Sequence, residues 1–569
     1  MTGWRILCGA LVFVAVTTTA AAGTGVLAGR LTLAGVITSC ILGTVAAGLT
    51  SRGASAPRQN ITALEWVLFT IFALASLRAF LWVIYERADA INVLSPHNLG
   101  DMALHLNLIN RWAAGGKFWP ENPFLAGAPF AYHPGMDLWN ALLRMLGVPV
   151  FEGLRWTGLL GAAATAVALW RWGRGFAVAA FLFAGGLGAT VLLQGLPLDP
   201  LETSRAWKNI FLALFVTQRG FLYAFPAGLI LLTVWRAQLR GEEKGPRLPV
   251  LAQVALYAAT PLFNAPAFLF LSVVLAACAV AAWRPRLARP FIVTGLVSII
   301  PATWLVHLVT AGFRAPSAFR WAPGWMQQDG GLWFWWWNFG VFLPLAVWLG
   351  LVVFSRGGGD RTARTFYIVG AGTLIFCFLF ALAPWEWDNT KLIVWGYLAL
   401  APFLWTNVLA QWPVALRSVV CGLLFASGAL SLAVGLDQRH GYQLASRSEV
   451  AGMQALLRAV PLNARLACAP SYEHPALLLG RPLAMGYDGH LFSQGLNYAP
   501  QRADLDALMN GAVGWRDAAR HLGVRYLFWG RREAKLWPQS KQSWSECAPL
   551  LGQDPAGQLY LLTPCLLED

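Results

Sequence analysis

Apolar stretches of about twenty residues, each long enough to cross a bilayer as a helix, recur along most of the chain. They predict spans at 4–22, 28–50, 64–85, 151–170, 175–195, 221–239, 248–262, 263–283, 290–311, 333–354, 364–383, 390–409 and 413–435. The connections between them alternate in character. One set is short and basic, carrying Arg52 and Arg58; Arg171 and Arg174; Arg236, Arg240, Lys244 and Arg247; Arg284, Arg286 and Arg289; Arg356, Arg361 and Arg364; and Arg417. The other set is longer, richer in Trp, Pro, Asn and His, and less basic for its length. Lys and Arg accumulate in cytoplasmic loops, so the first set is assigned to the inside and the second to the outside. Thirteen spans then place the N-terminus in and the C-terminus out. Residues 1–22 also fit a cleaved signal peptide, with Arg5, an apolar run and the small residues Ala20–Ala22. That alternative changes the sidedness of no later loop.

The pattern changes from about residue 440. Charge rises and the apolar runs shorten. Residues 447–459 have helical spacing behind a Ser446/Glu449 capping pattern. Short apolar runs at 465–469, 482–486, 524–529 and 558–562 read as strands. The expected organisation is therefore two extra N-terminal helices over 1–63, a transmembrane core over 64–438 with a long first outer loop at 86–150, and an extracytoplasmic domain over 439–569. The fold class is an all-α polytopic membrane protein of about thirteen transmembrane helices with a small C-terminal α/β soluble domain.

Composition supports this reading. The 569 residues are 57% hydrophobic and only 12% charged, against about one quarter charged in soluble domains. The 29 Trp and 33 Phe often sit at run ends, where amphipathic rings favour the interface. A net charge of +15 invites a nucleic-acid partner, but the Lys and Arg lie mostly in short loops between spans, where they signal topology. Of the eight Cys, five lie in apolar runs, and no CxxC pair exists to suggest a zinc or redox site. Cys468, Cys547 and Cys565 fall in the tail, where one disulfide can form if the tail is outside; the pair is open.

Candidate chemistry gathers on the outer loops. In LGDMALHLNLINRW, Asp101 and His105 are four apart, on one helix face, beside an apolar stripe of Leu104, Leu108 and Trp112. Such a helix lies along the membrane surface and aims Asp101 at the lipid–water boundary. His133 with Pro134 opens a second amphipathic helix. A carboxylate at that depth suits general-base work on a hydroxyl or amine; the plainer reading is that Asp101 caps its helix and His105 bonds it. Asp101, His105 and His133 are metal-ligand types, but their spacing is not specific and no metal site is assigned. In TQRGFLYAFP, Arg219 can grip a phosphate bidentately or snorkel to the interface. Asn264 sits in a tight turn between two spans, flanked by Pro261 and Pro266. Arg314 and Arg320 lie among Trp residues whose faces suit sugar rings, although Trp335–Trp337 read more simply as an aromatic belt. PWEWDNTK packs Glu386, Asp388, Asn389 and Lys391 into one turn, able to bind phosphate through Lys391 and an acceptor through the carboxylates, or to be a charge-paired turn.

This layout resembles the bacterial class C (GT-C) membrane glycosyltransferases, including the arabinose- and mannose-transferring relatives that use polyprenyl-phosphate sugars. In that family a long first outer loop carries an acidic residue on a juxtamembrane helix. GDMALH, with Asp101, takes that place, and HPGMDLWNALLRMLG follows it. QRGFLYAFP and PWEWDNTKL look like further elements of the group, and 474–498 and 518–530 are similar to its soluble ends. The resemblance spans roughly 64–530; no strict DxD lies near Asp101.

The resemblance implies inverting transfer of a sugar from a polyprenyl-phosphate donor to an envelope glycan, lipid or protein acceptor, at the outer face of the cytoplasmic membrane. Asp101 would be the catalytic base or acceptor-orienting group. Arg219, Arg320 or Lys391 would stabilise the leaving phosphate, and His105, His133, Asn264, Glu386 and Asp388 would bind substrate. No cofactor is required, because the leaving group is already a lipid phosphate; a divalent cation is optional. The expected partners are donor, acceptor and bilayer, not nucleic acid. Two rival readings are a transporter or flippase of lipid-linked glycans and a non-catalytic envelope-assembly protein. A transporter would show midplane charges and inverted repeats; few ionisable residues fall within spans, and no repeat stands out.

Overall fold

A hairpin of two apolar helices, α1 (Thr2–Ala28) and α2 (Leu33–Gly53), opens the chain. Small residues let them meet closely: a Cβ on Gly43 would lie 2.0 Å from Thr17 Oγ1, the approach that stabilises helix pairs in lipid. The computed structural model describes residues 2–567 apart from 96, 120, 189, 191–201, 203–204, 283, 315–317, 328–330, 356–359 and 438–440. Helix α3 (Ala63–Leu81) starts in a capping box between Thr62 and Glu65. A hairpin of β1 (Tyr85–Arg87) and β2 (Ala90–Val93) leads into the surface helices α4 (Asn98–Ala113) and α5 (Gly135–Met145).

Helix α6 (Val150–Leu182) is broken at Gly173 and Arg174, where Arg174 takes φ +58°. Glu65 explains the break. Its carboxylate accepts from the Gly175 amide at 3.1 Å and from Arg174 at 2.8 Å, so it caps the second arm. After α6 come α7 (Phe221–Arg240), α8 (Val250–Phe263), α9 (Ala265–Ala281), α10 (Pro285–Val309), β3 (Arg320–Trp321), α11 (Leu332–Phe339), α12 (Phe342–Ser355), α13 (Arg361–Leu379), β4 (Phe380–Ala381), α14 (Thr390–Asn407) and α15 (Val414–Leu436).

Among the described residues, eight helices are long and apolar enough to cross a membrane, or nine if α11 and α12, bent by 89°, form one span. This is a multi-pass membrane protein, but the thirteen-span count is not reached. The expected span 175–195 stops as helix at Leu182, and its residues 189 and 191–195 lie outside the described residues. The expected spans 248–262 and 263–283 become two short apolar helices of 14 and 17 residues, separated by Asn264 alone.

The basic connections share one end of the bundle. Arg171 donates to the Pro57 carbonyl at 2.9 Å, Trp4 to the Arg247 carbonyl at 3.3 Å, and Arg361 to the Ala281 carbonyl at 3.2 Å. Arg240 pairs with Asp360 at 2.8 Å. Arg356 lies outside the described residues.

The domain boundary drawn at 438/439 falls on residues outside the description. Beyond it, β5 (Tyr442–Ser446) adds antiparallel to β2, completing a sheet of order β1-β2-β5. Ser446 accepts from the Glu449 amide and caps α16 (Arg447–Leu456). The rest of the tail builds on a four-stranded sheet. Its strands are β6 (Leu466–Ala467), β7 (Tyr526–Gly530), β8 (Leu550–Asp554) and β9 (Gly557–Leu561), in the order β6-β7-β9-β8. Three of the expected strands are present. The fourth, 482–486, makes only isolated bridges, Leu483 to Leu466 and Met485 to Leu125. The backbone there is shared between the sheet and the first outer loop, so it joins neither as a regular strand. Around the sheet lie α17 (Pro475–Leu478), α18 (Asp488–Ser493), α19 (Ala499–Asn510) and α20 (Trp515–His521). Cys547 and Cys565 form the disulfide, and Cys468 stays free and buried.

The tail and the first outer loop are bonded together. Asn107 donates to the carbonyls of Leu477 and Arg481 at 2.8 and 3.1 Å, and Asn110 to that of Leu478 at 2.7 Å. Arg465 pairs with Glu121 at 2.8 Å. Helix α4 therefore has two polar faces, one holding the tail and the other carrying Asp101 and His105.

Candidate functional site

Asp101 and His105 open onto a chamber of about 370 Å³ between α4, the entry to α5, the segments before α7 and α14, and α18. His133, Gln218, Asp388 and Lys391 line the same space. A larger crevice of about 480 Å³ runs between α1 and α6, but its walls are apolar side chains such as Leu7, Leu11 and Leu160. No charged or histidine side chain lines it, so the polar chamber is the candidate site.

Asp101 lies in the first turn of α4 and accepts from Gln218 Nε2 at 3.1 Å. Enclosure by protein raises its carboxyl above the ordinary carboxylate range, partly offset by His105 and Lys391. His105 does not bond Asp101. Its Nδ1 instead lies 2.8 Å from Asp137 Oδ1 on α5. Burial pushes the His133 imidazole down to about 3, so it is neutral; its ring stacks on Tyr132 at 5.0 Å.

The cationic side comes from far along the chain. Lys391, at the start of α14, pairs with Asp388 at 3.0 Å. Asn389 holds this turn in place. Its Oδ1 accepts from the Leu382 amide at 3.1 Å, and its Nδ2 donates to the carbonyls of Cys377 and Phe380 at 2.9 and 2.6 Å. Lys208 also lines the chamber and stands over Trp387 at 6.0 Å. Trp385 stacks on Trp387 at 5.1 Å, giving the chamber an aromatic wall suited to the apolar face of a sugar ring. The roof belongs to the tail: His490 Nε2 meets the Gly100 carbonyl at 3.0 Å, with Ser493 and Gln494 beside it.

Four expected site residues lie elsewhere. Arg219 is buried behind the wall, at 2% exposure, with Nη2 3.8 Å from Met102 Sδ. Burial brings its guanidinium down to about 10, against the attraction of Asp137 and Asp101. Asn264 caps α9, its Oδ1 accepting from the Ala267 amide at 2.9 Å. Arg320 and Glu386 pair with each other at 2.9 Å outside the chamber, and Arg320 also donates to the Ala383 carbonyl at 3.1 Å. These contacts shape the loop before Trp385.

Sequence reasoning missed Asp137, Lys208, Trp385, Trp387 and His490. Asp137 follows His133 by four, a spacing that would have placed both on one helix face. Trp385 and Trp387 lie inside the PWEWDNTK turn already singled out; Lys208 and His490 carry no local signal. Among the described residues, no three His, Cys, Asp or Glu side chains are grouped to hold a metal ion.

Fold and site together define a multi-pass membrane protein with an enclosed polar chamber at the end of the bundle opposite its basic connections, roofed by its C-terminal region. No protein-family model matches the chain, and no curated protein matches it in sequence. Among solved structures it is similar to ArnT from Cupriavidus metallidurans bound to undecaprenyl phosphate, with 13% identity and a TM-score of 0.44 over 89% of this chain and 99% of that one. It is also similar to the archaeal oligosaccharyltransferase AglB from Archaeoglobus fulgidus in complex with an inhibitory peptide and a dolichol-phosphate, with 12% identity and a TM-score of 0.40 over 88% and 74%. An Archaeoglobus fulgidus oligosaccharyltransferase complex with Zn and sulfate shows 12% identity and a TM-score of 0.37 over 81% and 68%. The functional reading rests on the chamber's own residues.

Proposed function

We propose that this protein is a GT-C-type membrane glycosyltransferase. It moves a sugar from a polyprenyl-phosphate donor to an acceptor hydroxyl or amine on an envelope glycan, lipid or protein. One observation carries the reading: Asp101 and Lys391, far apart in sequence, line one enclosed chamber. A proton acceptor and a cation facing each other across such a space match the two charge changes of glycosyl transfer. The acceptor loses a proton as it attacks the anomeric carbon, and the leaving phosphate gains charge as the glycosidic bond breaks.

Asp101, raised by enclosure, receives or orients the acceptor proton. Lys391 meets the leaving phosphate, where a preplaced cation in a water-poor site acts strongly. Trp385 and Trp387 hold the sugar ring. Attack opposite the leaving group inverts the anomeric centre. The resemblance of GDMALH and the loop after it to the GT-C first outer loop supports the assignment of Asp101. Arg219 and Arg320 drop out as phosphate ligands, since neither lines the chamber.

The chamber faces outward from the cytoplasmic membrane. The Cys547–Cys565 disulfide supports this side, because disulfides persist in oxidising compartments, and the clustered basic loops at the other end support the N-terminus inside. The test is Asp101→Asn in purified protein. Transfer from the lipid-linked donor stops while membrane insertion and thermal stability are retained. Full transfer by that variant overturns the assignment.

A further inference from the structure

Asp137 has no part in the chemistry assigned so far, yet it is a carboxylate only 2% exposed. It sits in the first turn of α5, where a negative charge is favoured by the helix dipole. Gly135 lets that helix end close in: a Cβ there would lie 2.9 Å from the Leu262 carbonyl and 2.6 Å from the Phe263 ring. A buried ionised group is costly unless paired, and Asp137 has two companions. Its Oδ1 is 2.8 Å from His105 Nδ1. The buried Arg219, whose Nε and Nη1 have no hydrogen-bond partner, has Asp137 as its strongest opposite charge. Asp137 is thus the carboxylate partner of the imidazole and the main opposite charge felt by the cation. His105 lines the chamber; its Nδ1 and Asp137 Oδ1 are in close ion-pair contact without an aligned hydrogen bond, and the ring's other nitrogen is Nε2.

An imidazole whose Nδ1 faces a carboxylate keeps its proton there and presents Nε2 as an acceptor. We propose that Asp137 is a positioning residue that locks His105 as the Nδ1–H tautomer, so that His105 Nε2 takes the acceptor's proton beside Asp101, and that Arg219 is the counter-ion of this pair. The inference rests on the glycosyl-transfer reading. In the step, the acceptor oxygen bonds to the anomeric carbon and the bond from that carbon to the phosphate oxygen breaks. The bonding electrons stay on the phosphate, and the hydroxyl proton moves to His105 Nε2. The products are the glycoside, the polyprenyl phosphate and a charged imidazolium, which Asp137 stabilises. The other charged or titratable groups lining the chamber with His105 are His97 and Asp101 before and on its own helix, Tyr132 and His133 before α5, Lys208, Asp388 before α14 and Lys391 in it, and His490 on α18.

The test is a double-mutant cycle on full-length protein in detergent. The donors are undecaprenyl-phosphoryl-mannose and undecaprenyl-phosphoryl-arabinose, whichever the wild type turns over. Asp137→Asn and His105→Gln each lower kcat by about 10²- to 10⁴-fold, with the KM for donor little changed. The double variant is no slower than His105→Gln alone, because residues acting as one unit are not additive. Asp137→Glu recovers part of the rate. Losses that multiply in the double variant, or wild-type rate in Asp137→Asn, overturn the inference. A second readout needs no turnover: ¹⁵N-histidine NMR shows His105 protonated at Nδ1 in the wild type and a mixture of tautomers in Asp137→Asn. A wild-type His105 protonated at Nε2 overturns the inference. If the wild type turns over neither donor, the functional reading fails and the NMR result decides the dyad. If Asp101→Asn is inactive while Asp137→Asn is normal, the dyad alone fails.

Discussion

Replacing Gly480 by alanine is expected to lift the C-terminal region from the helix that carries Asp101. Gly480 has φ +80°, and a Cβ there would lie 2.5 Å from the Arg111 amide nitrogen and 3.0 Å from Arg111 Cα. These are backbone atoms of α4, so no side chain can swing aside. A left-handed conformation costs an L-residue about 1–2 kcal/mol, and overpacking costs about 1–3 kcal/mol. The total, about 2–5 kcal/mol, compares with the three bonds from Asn107 and Asn110 that dock the region on α4, each contributing about 1 kcal/mol net. Undocking also moves α18, whose His490 closes the chamber at Gly100. Hydrogen exchange read by mass spectrometry measures the effect: amides of 475–481 and of the second half of α4 should exchange at least about 30-fold faster, the lower bound of that cost, and transfer should fall with them. Wild-type protection together with wild-type transfer would refute the reasoning.

Lys391→Gln removes the chamber cation paired with Asp388 and should lower kcat about 10²- to 10³-fold, with Lys391→Arg retaining more; unchanged kcat would rule out its role at the phosphate. Asn389→Ala strips three backbone groups of their partner and should destabilise the turn by about 3 kcal/mol or more, seen as a lower Tm and a raised KM for donor. Replacing both Cys547 and Cys565 by serine opens a loop of sequence separation 18 and should cost about 3 kcal/mol, read as earlier melting of the C-terminal region; equal melting would count against a stabilising staple. The pH dependence has a definite sign. Burial holds His490 down at about 4 when folded, from 6.5 when unfolded. Between those values the unfolded chain binds the extra proton. Stability therefore falls as pH drops through that window, by up to about 1.4 kcal/mol per pH unit. His490→Gln should flatten this slope in thermal melts, and an unaltered slope would contradict it.

The features set by the sequence alone are those that depend on neighbours within a few turns. A run of twenty apolar residues must bury itself in lipid whatever the rest of the chain does, and a basic loop resists translocation on its own account. The longest spans, the clustering of basic loops and the polar face of α4 follow from such local rules. So does the pairing of types at Asp101 and His105, since helical spacing alone puts them on one face. Tertiary structure decided the rest. Where spans stop depends on groups far away: Glu65 breaks α6 at Arg174, and Asn264 splits an apolar stretch into α8 and α9 by capping the second. The disulfide partner of Cys565 was a matter of approach in space, which three tail cysteines leave open. The chamber shows this most directly. Asp101 was legible, but its neighbours Gln218 and Lys391, its roof at His490, and the Asp137 that takes up His105 reach it only through folding. Arg219 looked like a phosphate ligand because an Arg at a span mouth has that chemistry. Burial behind the wall, next to Asp137 and Asp101, turns the same charge inward, and only the packing of α4, α5 and α7 determines which way it faces.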